Sequence, residues 1–271
     1  MPFPGQATIF DYCERGLNPA FWAEPLNAIT NGGFILAALA GMAMIARQPS
    51  NARSLWPIFF ILNFIAIGIG SFLFHTVPNA NTMLADTGPI GVFMLAYLIF
   101  ALRRFAGANL LVTTVAMAAF IGLMVIAFNV RCWDGSIGFS LDIPPGARAR
   151  CLNGSLGYGP ALVALCLVAA WLRARGHPAA LFIVAAALTF LASLTFRSLD
   201  QRLCTGWIIF GHQIGTHFIW HVLNALTLFL LLVAAIRYAR CGKQEILPPH
   251  PKPGPSTYAV SQGKNGTNFL F

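Results

Sequence analysis

Apolar residues run through this chain in seven long blocks, and polar residues collect between them. The blocks cover residues 25–46, 54–77, 87–102, 107–130, 155–172, 177–196 and 206–236. An α-helix needs about 20 apolar residues to cross the hydrocarbon core of a bilayer. The third block is short, and reaches that length by extending back through 83–85 with Asp86 inside. The seventh is longer than a bilayer requires at about 1.5 Å of rise per residue. Its first residues, through Gly211, are therefore expected to form a turn or to project beyond the membrane. The pattern predicts an all-α fold, an integral membrane bundle of seven transmembrane helices over 25–236. Residues 1–24 precede the bundle as an extracytoplasmic segment, and 237–271 follow it as a cytoplasmic tail. From Leu247 onward the tail is rich in Pro, Gly, Ser and Asn, a composition that cannot bury a core and predicts disorder. The connections are short except for 131–154, which is expected to form a small ordered cap. No internal repeat is visible.

Composition supports this reading. Hydrophobic residues make up 57% of the 271 positions and charged residues 9%, against about 25% charged in a soluble domain. So few charges cannot cover a water-facing surface, and the surplus apolar surface must face lipid. The net charge of +9 does not indicate nucleic acid, because no soluble basic domain presents it. Nor is an obligate protein partner evident. Residues 1–24 have no apolar core and carry Asp11, Glu14 and Arg15, so they are not a signal peptide.

Charge also orients the bundle. With the N-terminus outside, eleven of the seventeen Lys and Arg residues fall on the inner side, the bias expected of cytoplasmic loops. The compact loops and Arg-rich inner side look bacterial, which places the chain in an inner (plasma) membrane. Asp11, Glu14, Glu24, Asp86, Asp134, Asp142 and Asp200 then lie outside or at the outer edge, and only Glu245 lies inside. Cys13, Cys132, Cys151 and Cys204 also fall outside, where disulfides persist. Four cysteines allow three pairings. Cys132 with Cys151 would close the long loop and leave Cys13 with Cys204; four free thiols are the alternative.

Ionisable residues inside membrane helices are costly and mark function. Ser71 and His75 are spaced i, i+4 near the outer end of the second block, so both lie on one helix face. Asp86 opens the third helix at the same level. His217 and His221 repeat the i, i+4 spacing in the outer half of the seventh. A single histidine near a helix end is as often an interfacial residue as a ligand, and His pairs also serve helix packing. Three histidines, a carboxylate and a hydroxyl at one depth are harder to explain that way. Three neutral imidazoles and an open position are a common catalytic zinc shell. Zinc would polarise a carbonyl and lower the pKa of its water to about 7. Asp86 would carry the proton to a leaving amine, and Ser71 would hydrogen-bond the oxyanion or orient the water. His212 is off this face and reads as interfacial.

The outer segment from Asp11 to Glu24 holds three carboxylates, which with backbone carbonyls suit a hard cation such as calcium, although the spacing matches no EF-hand loop. Spacings of small residues at Gly33, Ala37 and Gly41 mark helix packing.

At these residues the chain resembles the alkaline ceramidase family, within the CREST superfamily of seven-helix membrane proteins that also includes the adiponectin and progestin receptors. The resemblance covers about residues 9–236. It is carried by Asp11-Tyr12-Cys13-Glu14, by Glu24-Pro25-Leu26-Asn27-Ala28-Ile29-Thr30-Asn31, and by Gly70-Ser71-Phe72-Leu73-Phe74-His75-Thr76 with Asp86. Arg197-Ser198-Leu199-Asp200 and His217-Phe218-Ile219-Trp220-His221 complete it. It implies a hydrolase that cuts the amide of ceramide, or a similar long-chain lipid amide entering from the bilayer, into a sphingoid base and a fatty acid. His75, His217 and His221 would be the zinc ligands, with Ser71 and Asp86 as catalytic partners. A calcium ion would be held by the side chains of Asp11, Glu14 and Glu24 and by the carbonyl of Tyr12. Between Glu14 and Glu24 this chain is one residue shorter than the eukaryotic pattern, leaving Asn18 or the carbonyl of Gly16 as the remaining ligand. The family's disulfide implies Cys13 with Cys204.

The main rival is a seven-helix lipid receptor with a structural zinc, which would need neither Asp86 nor Ser71 beside the ligands. A haem protein is disfavoured because His217 and His221, one turn apart on a single helix, cannot reach opposite faces of one haem. A transporter would be expected to show repeats with matching broken helices.

Overall fold

The computed structural model describes residues 12–49, 54–133, 136–139, 151–209 and 212–238. Asp11, Asp134, Asp142 and the tail beyond residue 238 lie outside the described residues. Seven helices are long and apolar enough to cross a membrane, so the chain is a multi-pass membrane protein. The first crossing is built from α1 (Pro25–Thr30) and α2 (Gly32–Ala46). Then come α3 (Leu55–Thr76), α4 (Ala80–Phe100, continued by a π-helical turn over Ala101–Phe105) and α5 (Leu110–Asn129). A 3-10 segment over Cys151–Tyr158 leads into α6 (Gly159–Ala174), followed by α7 (Ala180–Leu199) and α8 (His217–Tyr238). Sequence neighbours pack side by side, and α8 closes the ring against α1 and α2 while touching α3 across it.

The structure refines two helix boundaries, placing Asp86 inside its helix and the first residues of the seventh block outside theirs. Asp86 does not open α4. The helix starts earlier, at Ala80, where Asn79 and Thr82 form a reciprocal capping box, which satisfies two of the helix's orphan donors. The last helix starts later than its apolar block, at His217. A short hairpin, β3 (Ile208–Ile209) with β4 (His212–Gln213), takes up the preceding residues. His212 is exposed on it. In the long loop, β1 (Val130–Trp133) pairs with β2 (Ser136–Phe139), so its described part is ordered, as expected.

The surface of the ring is apolar, with Leu110, Leu111, Leu167 and Leu181 all more than half exposed, as suits lipid contact. Inside, Phe60, Phe64, Phe93 and Phe100 are buried, and the Tyr97 hydroxyl donates to the Leu231 carbonyl at 3.0 Å, satisfying its polar tip. Small residues set the closest approaches. A Cβ at Gly33 would meet Ala225, and one at Gly41 would strike Leu232, so the small-residue stripe of α2 is where α8 packs. Gly70 is tighter still. A Cβ there would overlap the backbone carbonyl of Ala85. That carbonyl lacks its helical donor because the residue four positions on is Pro89, which has no N–H. The missing side chain at Gly70 thus lets α3 and α4 touch backbone to backbone beside Ser71 and Asp86.

Both disulfides, Cys13–Cys204 and Cys132–Cys151, are formed. The first ties the N-terminal segment to the connection before α8.

Candidate active site

Most of the buried polar residues of the apolar bundle collect at one end. His75 ends the last turn of α3 and Ser71 lies one turn deeper; His217 opens α8 and His221 lies one turn on. All four are buried, at 1–3% exposure, as the shared-face spacing requires. The three imidazoles each offer a nitrogen, and these atoms lie within 4.8 Å of one another. They can hold a metal ion.

The helix α1 and the residue before it orient the rings. The Nδ1 of His75 lies 2.5 Å from Oε2 of Glu24, and a carboxylate accepts, so His75 carries its proton on Nδ1. The Thr30 hydroxyl donates to the Leu26 carbonyl at 2.6 Å and meets Nδ1 of His221 at 3.1 Å. With its own hydrogen committed, it accepts from His221. Both rings therefore keep the lone pair of Nε2 for a ligand, the arrangement that outer hydrogen bonds impose on metal-binding histidines. Nδ1 of His217 is buried without a hydrogen-bond partner. An unsatisfied imidazole nitrogen beside two oriented ones fits a site that a cation completes.

Glu24 is 1% exposed. Burial alone would raise its carboxyl, but hydrogen bonds with His75, Asn27 and Arg15 outweigh that and hold it below its ordinary value. It is therefore an anion, as the orienting role needs.

A cavity of about 440 Å³ opens beside the histidines, lined by Tyr12, Ser71, Asp86, Arg197, His217 and His221 among others. Asp86, in the second turn of α4, faces Ser71 and the Arg197 guanidinium. Arg197 lies over the rings of Tyr158 and Trp220, 5.6 and 5.1 Å from their centroids, and its Nε is buried without a hydrogen-bond partner. A smaller cavity of about 60 Å³ has an almost wholly apolar lining, with Phe93, Met94, Phe120 and Leu228. It shares Ile90 and Asn224 with the first, so an apolar cavity adjoins the polar chamber.

The N-terminal segment packs directly on this chamber. The Tyr12 ring lies 4.1 Å from that of His217 and 5.0 Å from that of His75. Burial raises its hydroxyl above the ordinary tyrosine value, so it is a neutral donor. Its carbonyl, expected to bind calcium, accepts from the Gly16 N–H at 3.1 Å. The Glu14 carboxylate accepts from the backbone N–H groups of Leu26 and Asn27, at 2.7 and 2.8 Å, and so caps α1. Burial raises its pKa and these two hydrogen bonds oppose the rise. The Asn18 side chain accepts from the Ala20 N–H at 2.9 Å.

The structure thus brings Ser71, His75, Asp86, His217 and His221 together at one end of the ring. It adds Glu24 and Thr30 as ring-orienting partners, and Arg197 and the Tyr12 side chain as chamber walls. Sequence reading did not find these four roles. A charged Arg197 at the edge of an apolar block was the available signal for one of them. Glu24 with His75, separated by 51 positions, had none.

A family model described as Ceramidase matches residues 4–137 of the chain. The matched stretch contains Glu24, Ser71, His75 and Asp86 and ends before His217 and His221, which the fold brings to them. No curated protein matches the chain.

Proposed function

Because the chain belongs to the ceramidase family, a family of ceramide-hydrolysing amidases, we propose that it is a zinc-dependent membrane amidase acting on ceramide or a similar long-chain lipid amide. The observation that carries the zinc reading is the buried set of His75, His217 and His221, two of them with Nε2 left free, beside Ser71 and Asp86. Zinc fits this all-nitrogen, neutral donor set better than calcium or magnesium, which take oxygen ligands. The ion, when bound, supplies a Lewis acid for the amide carbonyl and a water nucleophile of low pKa.

The chain's own residues do the rest. Asp86 accepts the proton of the attacking water and returns it to the departing nitrogen. Ser71 donates its hydroxyl to the oxyanion that forms as water adds to the carbonyl carbon. Arg197 balances the Asp86 charge within the chamber. The C–N bond breaks, and a sphingoid base and a fatty acid leave. The apolar chamber beneath, lined by Phe93, Met94 and Phe120, takes part of an acyl chain, while the polar chamber takes the amide and head group. The two disulfides at the site end support a topology in which this end faces the oxidising side of the membrane. On this topology the N-terminal segment is outside and the tail cytoplasmic.

The test is elemental analysis of detergent-purified protein together with fatty-acid release from a fluorescent ceramide. About one zinc per chain, with hydrolysis abolished by a chelator and restored by zinc, is expected. Hydrolysis that survives complete metal removal would overturn the zinc mechanism. Zinc without turnover of any lipid amide would overturn the amidase reading in favour of a lipid receptor.

A further inference from the structure

Arg15 is a charged side chain only 2% exposed, and the chemistry above does not use it. Its guanidinium is engaged on every nitrogen. Nε donates to Oε1 of Glu24. Nη1 donates to the carbonyls of Asn18 and Ala20, both at 3.1 Å. Nη2 donates to the carbonyl of His75 at 2.7 Å. One carboxylate and three carbonyls therefore converge on a single cation. An all-oxygen shell of carboxylate and backbone carbonyls is what calcium takes.

The described side chains and carbonyl expected to bind calcium are instead engaged by the chain's own groups. Glu24 spends one oxygen on Arg15 and the other on His75 and Asn27. Both oxygens of Glu14 are taken by backbone N–H groups, and the Tyr12 carbonyl accepts from Gly16. Asp11 lies outside the described residues.

We propose that Arg15 is the built-in cation of this site, standing where the family's calcium would be, and that it positions His75 through Glu24 and through the carbonyl end of α3. The proposal rests on the zinc-amidase reading. Glu24 accepts from Nδ1 of His75 with one oxygen and meets the Arg15 guanidinium with the other, the paired arrangement a buried carboxylate requires. The His75 carbonyl is among the last of α3, where helical carbonyls lack internal donors and the helix dipole is negative. A guanidinium meets both needs with fixed, planar geometry, whereas a lysine ammonium is a point charge that cannot span four acceptors. The enzyme would then work without calcium.

The experiment uses full-length protein in detergent with zinc buffered at a constant level. Thermal midpoint, zinc affinity by chelator competition, and fluorescent-ceramide hydrolysis are followed as calcium is added. Wild type is expected to show no calcium-dependent change in any of the three. Arg15→Ala is expected to lose roughly 10- to 100-fold in zinc affinity or activity, the range for outer partners of metal ligands. It should regain part of both with calcium or ethylguanidinium, which can enter the vacated oxygen shell. Arg15→Lys should fall between.

Calcium that raises the wild-type midpoint or activity would overturn the proposal. So would an Arg15→Ala protein matching wild type, or one whose loss neither cation restores, since that loss is merely structural. If Arg15→Ala does not fold, the wild-type calcium titration and Arg15→Lys still decide. A wild type that binds no zinc and hydrolyses nothing fails the zinc-amidase reading instead, which is a distinct result.

Discussion

The Asp200 carboxylate accepts the backbone N–H of His217 at 2.9 Å, so the residue that ends α7 caps the helix that begins on a site histidine. The same oxygen accepts from Thr216 at 2.7 Å, and the other from the Cys13 N–H at 3.1 Å. Asp200 thus fixes the start of α8 and the N-terminal segment with one side chain. Gly215 makes room for it. Its φ is +58°, and a Cβ there would overlap Oδ1 of Asp200. Asp200→Ala should cost about 1–2 kcal/mol, the range for a lost helix cap, and weaken zinc binding along with it. Thermal melting and chelator competition on the purified variant would show this. Wild-type zinc affinity in a destabilised Asp200→Ala protein would mean that the cap does not position His217.

Gly70→Ala tests the contact between α3 and α4. The new methyl meets the Ala85 carbonyl, so the helices must part beside Ser71 and Asp86. Overpacking of this kind costs about 1–3 kcal/mol. Activity should fall by more than stability explains, because Ser71 and Asp86 separate. Gly91→Ala is the control, since a Cβ there meets nothing within 4 Å. Equal effects from the two substitutions would rule out a special role for Gly70.

Ser71→Ala and Asp86→Asn separate chemistry from metal binding. Both should keep wild-type zinc content. Ser71→Ala should slow hydrolysis about 10²–10³-fold, as for a lost oxyanion donor, and Asp86→Asn about 10²–10⁴-fold, as for a lost general base. His217→Ala should lose zinc and activity together. Full zinc content in His217→Ala, measured by elemental analysis, would show that the ligands are assigned wrongly.

A pH dependence of stability should come from the opposite end of the bundle. Nδ1 of His177 accepts the Ala179 N–H at 3.1 Å, and burial lowers its pKa below the ordinary 6.5. The folded value lies below the unfolded one, so protons favour the unfolded chain. The stabilising contribution is complete above about pH 6.5 and is lost as pH falls through the folded value. Melting curves at descending pH should show this loss, and His177→Asn, which accepts without titrating there, should flatten it. An unchanged pH profile in His177→Asn would assign the loss to other groups.

The crossings were legible in sequence because lipid offers backbone groups no partners, so each crossing must be a long apolar helix. The helical period then placed Ser71 over His75 and His217 over His221. What could not be read was anything set by packing between distant segments. Glu24 lay in view as a carboxylate suited to a cation. Only the fold shows that its cation is Arg15 and that its other oxygen holds His75. The start of α4 ahead of Asp86 has a local signal, the Asn79 and Thr82 capping box. The excess length of the seventh apolar block pointed to a turn before the last helix, but the strand pairing of Ile208–Ile209 with His212–Gln213 was hidden, because these residues carry no hairpin signal and Trp207, Ile208 and Ile209 are as apolar as the helix they precede.

The Cys13–Cys204 bond joins positions 191 residues apart, tying the segment that carries Arg15 and Glu24 to the connection before α8. His75 and its supports Arg15 and Glu24 come early in the chain, whereas His217 and His221 arrive only with the final helix. During synthesis the early half therefore waits in the membrane without the other two histidines, and a chain arrested before α8 holds an oriented imidazole but no three-nitrogen centre. If the three histidines carry the activity as proposed, it would be silent until the last crossing is inserted.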